Sequence, residues 1–398
     1  MKKKRFYIII FILFISSVFY SNDLLKEGLN PSFEYINREN GISNLSVSSM
    51  IQDKYGFIWF GTQGGLNRYD GRNMKIYTND PFEDDVLIHN LIQTMYYDED
   101  KHDLWIGTYQ GISRLKIYEN SFINYTVEKN NLSNSVIVAI TKDENDIFWA
   151  GTLSGLNKIN PDTGEVKIYE IPGNVVRSLL LDSENRLWIG TYEGLFYYDK
   201  LDDKIKKYNI DLPSSFVMAI KEYEPNILTL GLWGGGITNI DLKTNEMKTI
   251  TFSDNRVYSI IRTNDGIKWI GTWGGGLFAI TPDGKNYHFA GDSSDSSLVH
   301  PVVYSMLQDH SDILWVGTNG GGVCKINPRK NNYTILSYDP EQPEGLSAGK
   351  INDIFRDSEG NLWIAVYNEG LDKYNPITNS ITKYRNNPID PYFFLQTL

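Results

Sequence analysis

The chain has 398 residues, 41% hydrophobic and 13% aromatic, enough to bury a large core and too apolar for a disordered segment. With 34 glycines and only 22% charged residues, the composition favours an all-β globular protein. A formal net charge of −11 argues against a nucleic-acid partner and against binding to anionic membrane surfaces.

The N-terminus reads as an export signal. Lys2, Lys3, Lys4 and Arg5 precede an uncharged run from Phe6 to Tyr20. That is the length of a signal peptide's apolar region, and short of the ~20 residues of a membrane span. Residues 1–21 are therefore expected to be a signal peptide. An uncleaved anchor is the alternative, because Val18-Phe19-Tyr20-Ser21 lacks a small-x-small cleavage site. No cysteine lies nearby to carry a lipid.

Next comes Phe33-Glu34-Tyr35, an isolated strand-like segment resembling Ile381-Thr382-Lys383-Tyr384 near the other end. It is expected to complete the last unit of a ring. The first full unit begins with an apolar stretch over residues 47–52 and turns at Asp53-Lys54-Tyr55-Gly56. It continues through residues 57–63, turns at Gly64-Gly65, runs over 66–69, turns at Asp70-Gly71 and ends over 74–77. Runs of four to seven residues between Gly, Asn and Asp turns predict four short strands.

The unit then repeats. Ile58-Trp59-Phe60-Gly61-Thr62 returns around Trp105, Trp149, Trp188, Trp269 and Trp315. Two copies are degenerate: Leu228-Thr229-Leu230-Gly231-Leu232 lacks the Trp, and Leu362-Trp363-Ile364-Ala365-Val366 lacks the Gly and Thr. Eight units spaced 39 to 48 residues apart match one four-stranded propeller blade each. A lone four-stranded sheet cannot bury both faces, whereas radial stacking can. Trp59, Trp105, Trp149, Trp188, Trp269, Trp315 and Trp363 are accordingly expected to be structural, packed between blades, with the Gly allowing close backbone approach. The expected organisation is a β-propeller over residues 33–384, with a tail over 385–398 where the chain stops in a ninth connector.

These residues resemble the two-component regulator propeller repeat. The resemblance rests on Asn40-Gly41-Ile42-Ser43-Asn44, on Ser49-Met50-Ile51-Gln52-Asp53, and on Gly56 through Gly71. It implies a seven-bladed propeller, so that the eighth unit is surplus; eight blades is the geometric alternative. It also implies a periplasmic ligand-binding sensor domain of a two-component or diguanylate-cyclase system. In that family such domains sense oligosaccharides or other nutrients, and a membrane helix and output domain follow. Since no output motif is present, the chain reads as a truncated sensor, a gene fragment or a stand-alone binding propeller. A second propeller or a second copy of the chain is a further expected partner.

One repeated position departs from the structural pattern. The residue after the Thr reads Gln63, Tyr109, Leu153, Tyr192, Trp233, Trp273, Asn319 and Tyr367, of which five are aromatic. Turns at this position surround the channel mouth. Tyr109, Tyr192, Trp233, Trp273 and Tyr367, with Gln110, Glu193 and Asn368 beside them, are therefore the candidate ligand-binding residues. Aromatics would stack on sugars and their polar neighbours would bond the hydroxyls. The alternative is that strand ends simply favour aromatics.

Other motifs point to structure. The turns Gly234-Gly235-Gly236, Gly274-Gly275-Gly276 and Gly320-Gly321-Gly322 have no Gly-Lys-Ser/Thr after them and are not phosphate loops. The acidic turns at Asp143, Asp182 and Asp357 lack calcium-loop spacing and read as exposed connections. Cys324 is alone, so no internal disulfide forms, and it reads as a buried apolar residue. His89, His102, His288, His300 and His310 neither recur at one blade position nor show metal spacing. No cofactor, metal or catalytic residue is expected. A propeller lyase of the streptogramin-lyase type and a protein-interaction scaffold are the competing functions.

Overall fold

The computed structural model describes residues 29, 31–171, 173, 175–291, 298–327, 336–340 and 345–385. The expected signal segment 1–21 lies outside them, as does the 385–398 tail apart from Arg385. Among the described residues no helix is long and apolar enough to cross a membrane. The strands form eight four-stranded antiparallel sheets, each built from consecutive hairpins except one.

The exception closes the ring. Val303–Gln308, Leu314–Thr318 and Val323–Asn327 make three strands of the seventh sheet, and the fourth is the N-terminal Ser32–Ile36. Its register runs from Ser32 opposite Asn327 to Ile36 opposite Val323. The inner strands of the seven sheets touch in cyclic order, the last meeting the first, so these sheets form a closed propeller of seven blades. The orphan strand was expected to finish the last unit; it finishes the seventh instead. The eighth sheet, 351–384, belongs to a second compact unit that begins at Asn331. The single propeller expected over 33–384 is thus divided, because the ring has already closed at Asn327. In the eighth sheet Ile354 and Phe355 on the inner strand are exposed.

Each residue of the Trp-x-Gly-Thr repeat has its own physical task. Trp59 is fully buried against Leu66, Ile92 and Leu104, and so fills the junction between the first blade and the second. Trp105, Trp149, Trp188, Trp269 and Trp315 do the same at five further junctions. The Gly permits close approach of the next blade. A Cβ on Gly61 would lie 2.7 Å from Ile92 Cγ2, and one on Gly271 would lie 2.5 Å from Val303 Cγ1. The Thr closes the following turn: Thr62 Oγ1 donates to the Gly65 carbonyl at 2.8 Å and accepts from the Gly64 amide at 3.0 Å.

The acidic turns serve the same junctions. Asp53 accepts from the Tyr55 and Phe57 amides through one oxygen and from Trp59 Nε1 at 2.9 Å through the other. Asp143, Asp182, Asp309 and Asp357 take the same role for their own Trp. Asp182 is buried, not an exposed connection residue. At the half-buried Asp357, bonds from Asn361 and the Trp363 indole hold the carboxyl down at about 2. Cys324 is buried, and burial pushes its thiol up to about 11, in keeping with an inert packing role.

The fifth junction lacks its Trp. Thr229 stands there, bonded to Asn239 at 2.8 Å, beside a cleft of about 250 Å³ lined by Tyr223, Thr229, Asn239 and Lys268. Lys221 pairs with Thr229 across the strands and so shares its face. It is accessible to solvent yet deep in the ring, and desolvation there pushes its ammonium below the ordinary 10.5. The Tyr223 hydroxyl is buried with no hydrogen-bond partner among the described residues. Six junctions are sealed by an indole; the fifth is closed by Ile237, Val257, Ile260, Ile270 and Phe278, with the polar cleft beside them.

Candidate functional site

The innermost strand of every blade carries a β-bulge at its start. Pairing runs from Val176 to Ser178 and skips Arg177; the same skip falls at Ser48, Gln93, Val138, Met218, Tyr258 and Tyr304. A bulged residue leaves the ladder and its side chain is re-aimed. Six of these seven side chains (all but Val138) line one cavity of about 360 Å³.

A second register position completes the wall. The residue at the position after the Thr donates its amide, in several blades, to the chain just before an inner strand: Tyr109 to the Leu91 carbonyl, Trp233 to Phe216, Trp273 to Arg256. These bonds fix the turn beside the inter-blade connection, where the repeat pattern places it. Tyr109, Tyr192, Trp233 and Trp273 all line the cavity, and so does Gln63. Gln110 and Glu193 do not; each follows the aromatic into the turn and donates its amide to the Thr hydroxyl. Tyr367 and Asn368 belong to the second unit, where Lys350 Nζ lies 4.0 Å from the Tyr367 ring centre.

The aromatics form two groups. Trp273 meets Trp233 at 5.4 Å, Tyr258 at 5.4 Å and Tyr304 at 5.3 Å between ring centres, with tilted planes. Tyr192 packs on Phe216 at 4.9 Å. Burial pushes the Tyr304 hydroxyl up to about 12, so it remains a hydrogen-bond donor at neutral pH. Among the described lining residues Arg177 is the one with a formal charge. Ser48, Gln93 and Gln63 supply neutral polar groups. Such a cavity is suited to non-covalent binding of a ligand with flat apolar faces and polar edges.

None of the five histidines lines this cavity. His89 and His300 each accept from an amide two residues on, and His288 stacks on Phe278. Among the described residues no three His, Cys, Asp or Glu gather at metal distance. The aromatic turn position could be read from the sequence. Arg177, Tyr258, Tyr304 and Phe216 were missed; their signal is the residue at or beside the first Val or Ile of each inner strand.

The comparisons fit this architecture. The family described as Two component regulator propeller matches residues 41–64, 170–193, 297–320 and 345–368. Histidine kinase P4 of Formosa agariphila is 29% identical over 184 residues, which is 42% of this chain and 13% of that kinase. The extracellular domain of the hybrid two component system BT3049 from B. thetaiotaomicron superposes with a TM-score of 0.68 at 22% identity. The match covers 90% of this chain and 55% of that one. The extracellular domain of BT4673 from the same organism gives 0.65 at 20% identity, over 89% and 54%. Virginiamycin B lyase from Staphylococcus aureus gives 0.60 at 15% identity, over 75% of this chain and 99% of the lyase. The chain thus spans about half the length of these two extracellular domains. Four stretches of the chain, one of them in the second unit, match the two-component regulator propeller repeat.

Proposed function

We propose that this chain is a non-catalytic, extracytoplasmic sensor propeller that binds an oligosaccharide at the channel-mouth cavity. The observation carrying the reading is that two register positions, repeated from blade to blade, converge on one aromatic-walled cavity of about 360 Å³. Indole and phenol faces suit the C–H faces of sugar rings, and Ser48, Gln93 and Gln63 suit their hydroxyls. The likeness to extracellular domains of two-component systems supports a place in signalling. The lyases share the fold, but this cavity has no imidazole or carboxylate among its described lining residues for proton transfer.

The test is binding across a glycan panel with Trp233→Ala and Trp273→Ala. Losing one ring contact worth about 1.5–3 kcal/mol should weaken binding about ten-fold or more. Melting temperatures should stay near the parent's, since neither residue belongs to a junction core. Unchanged binding to every ligand, or early unfolding of both variants, would sink the proposal. The export half is tested separately by fusing residues 1–30 to an enzyme active only outside the cytoplasm. Activity is expected, and a silent cytosolic fusion contradicts it.

A further inference from the structure

Arg177 sits in the cavity without a counter-charge. It lies at the bulge of the fourth blade's inner strand, and its Nη2 donates to the Tyr258 hydroxyl at 2.8 Å. The guanidinium carbon is 5.6 Å from the Tyr258 ring centre. Its Nε is buried and has no hydrogen-bond partner among the described residues. Among the described residues its side-chain hydrogen bond goes to the neutral Tyr258, and no acid lines the cavity. A guanidinium has five N–H donors, and burying a charge without partners is costly. The arrangement persists on a chain whose net charge is −11, where acidic side chains are abundant.

We propose that the cavity selects an anionic sugar, a carboxylated or sulfated saccharide whose acid group seats on Arg177. This rests on the glycan reading above and narrows it. Planar guanidinium matches the paired oxygens of a carboxylate or a sulfate ester, two parallel N–H···O bonds at once. Arg177 spends one Nη2 hydrogen on Tyr258, which fixes its plane and leaves Nη1 and the second Nη2 hydrogen to meet an incoming acid group end-on. The pyranose ring then lies on Trp273 and Tyr304, which pack on Tyr258 and on each other. A neutral sugar fills the same space but leaves the guanidinium without a partner of opposite charge.

The experiment measures binding of neutral, carboxylated and sulfated oligosaccharides of matched length to the parent, Arg177→Gln, Arg177→Lys and Trp273→Ala. The parent should prefer an acidic class over its neutral counterpart by about ten- to a hundred-fold, the range of one charge-assisted contact. Which acidic class binds distinguishes carboxylate from sulfate. Arg177→Gln should abolish that preference, Arg177→Lys should keep part of it, and Trp273→Ala should weaken all three classes alike. A parent that binds neutral and acidic glycans equally overturns the proposal while leaving the glycan reading intact, and needs no variant to fold. If no oligosaccharide binds, the glycan reading fails first, and glucuronate or sulfate ions decide the anion seat. Thermal protection of the parent but not of Arg177→Gln supports it, and equal or absent protection overturns it.

Discussion

Deleting Ser32–Ile36 is expected to abolish cooperative unfolding of the ring, not merely lower its midpoint. Ile36 is buried with Val47, Phe60 and Trp315, while Phe33 and Tyr35 pack partly against the core that holds Trp269. The strand thus touches the junctions on both sides of the seventh blade. At about 1.5–3 kcal/mol per apolar side chain, the loss is about 5 kcal/mol before the five-residue ladder is counted. That is comparable with the whole stability of many domains. The remaining three-stranded blade would also present Val323–Asn327 as an open edge. Urea denaturation followed by Trp fluorescence should show an early, broad transition. A sharp transition at the parent's midpoint would mean that the pairing of Ser32–Ile36 contributes little.

The second large effect is at a junction. Trp59→Ala should cost about 3–5 kcal/mol, because it empties a closely packed inter-blade core. It also leaves Asp53 Oδ2, in a buried carboxylate, without its indole donor. The comparison is Trp273→Ala, in which the lost ring faces the cavity. Denaturation midpoints of the two variants, measured side by side, should differ by most of the Trp59 loss. If they coincide, the division of the tryptophans into junction and cavity residues is wrong.

These two tryptophans also show how far the sequence could be read. Trp59 was legible as core because it recurs with a Gly two residues later, and only a structural demand explains the same pair in blade after blade. Trp273 was legible as a cavity residue because it keeps one register while its neighbours vary. Arg177 was not legible, for a physical reason. It occupies a bulge, where the two-residue alternation of a strand breaks, so no periodic pattern says which way its side chain points. The partner of Phe33-Glu34-Tyr35 was misplaced for a related reason. Backbone pairing is blind to sequence, so nothing in Phe33-Glu34-Tyr35 itself says which later unit it completes; the eighth already has its own outer strand, Ser380–Tyr384. Asp182 was misread as exposed because an Asp in a turn looks the same whether or not an indole six residues on needs its second oxygen.

The way the ring closes also sets the order in which the protein can be made. Within the ring, every other strand pairs with a neighbour in the same hairpin series, available as soon as that stretch of chain exists. Ser32–Ile36 is synthesised first, and its partner Val323–Asn327 follows about 290 residues later. Its contacts therefore carry nearly the largest sequence separation the ring allows, the kind that slows folding most. Until the seventh blade arrives, the growing chain is an open arc with an unsatisfied strand at one end and an unpaired edge at the other. Both ends are competent to capture a second chain. Ring closure is then the committing step of folding, and the interval before it is when a holding chaperone, or slow delivery of the chain, would matter most.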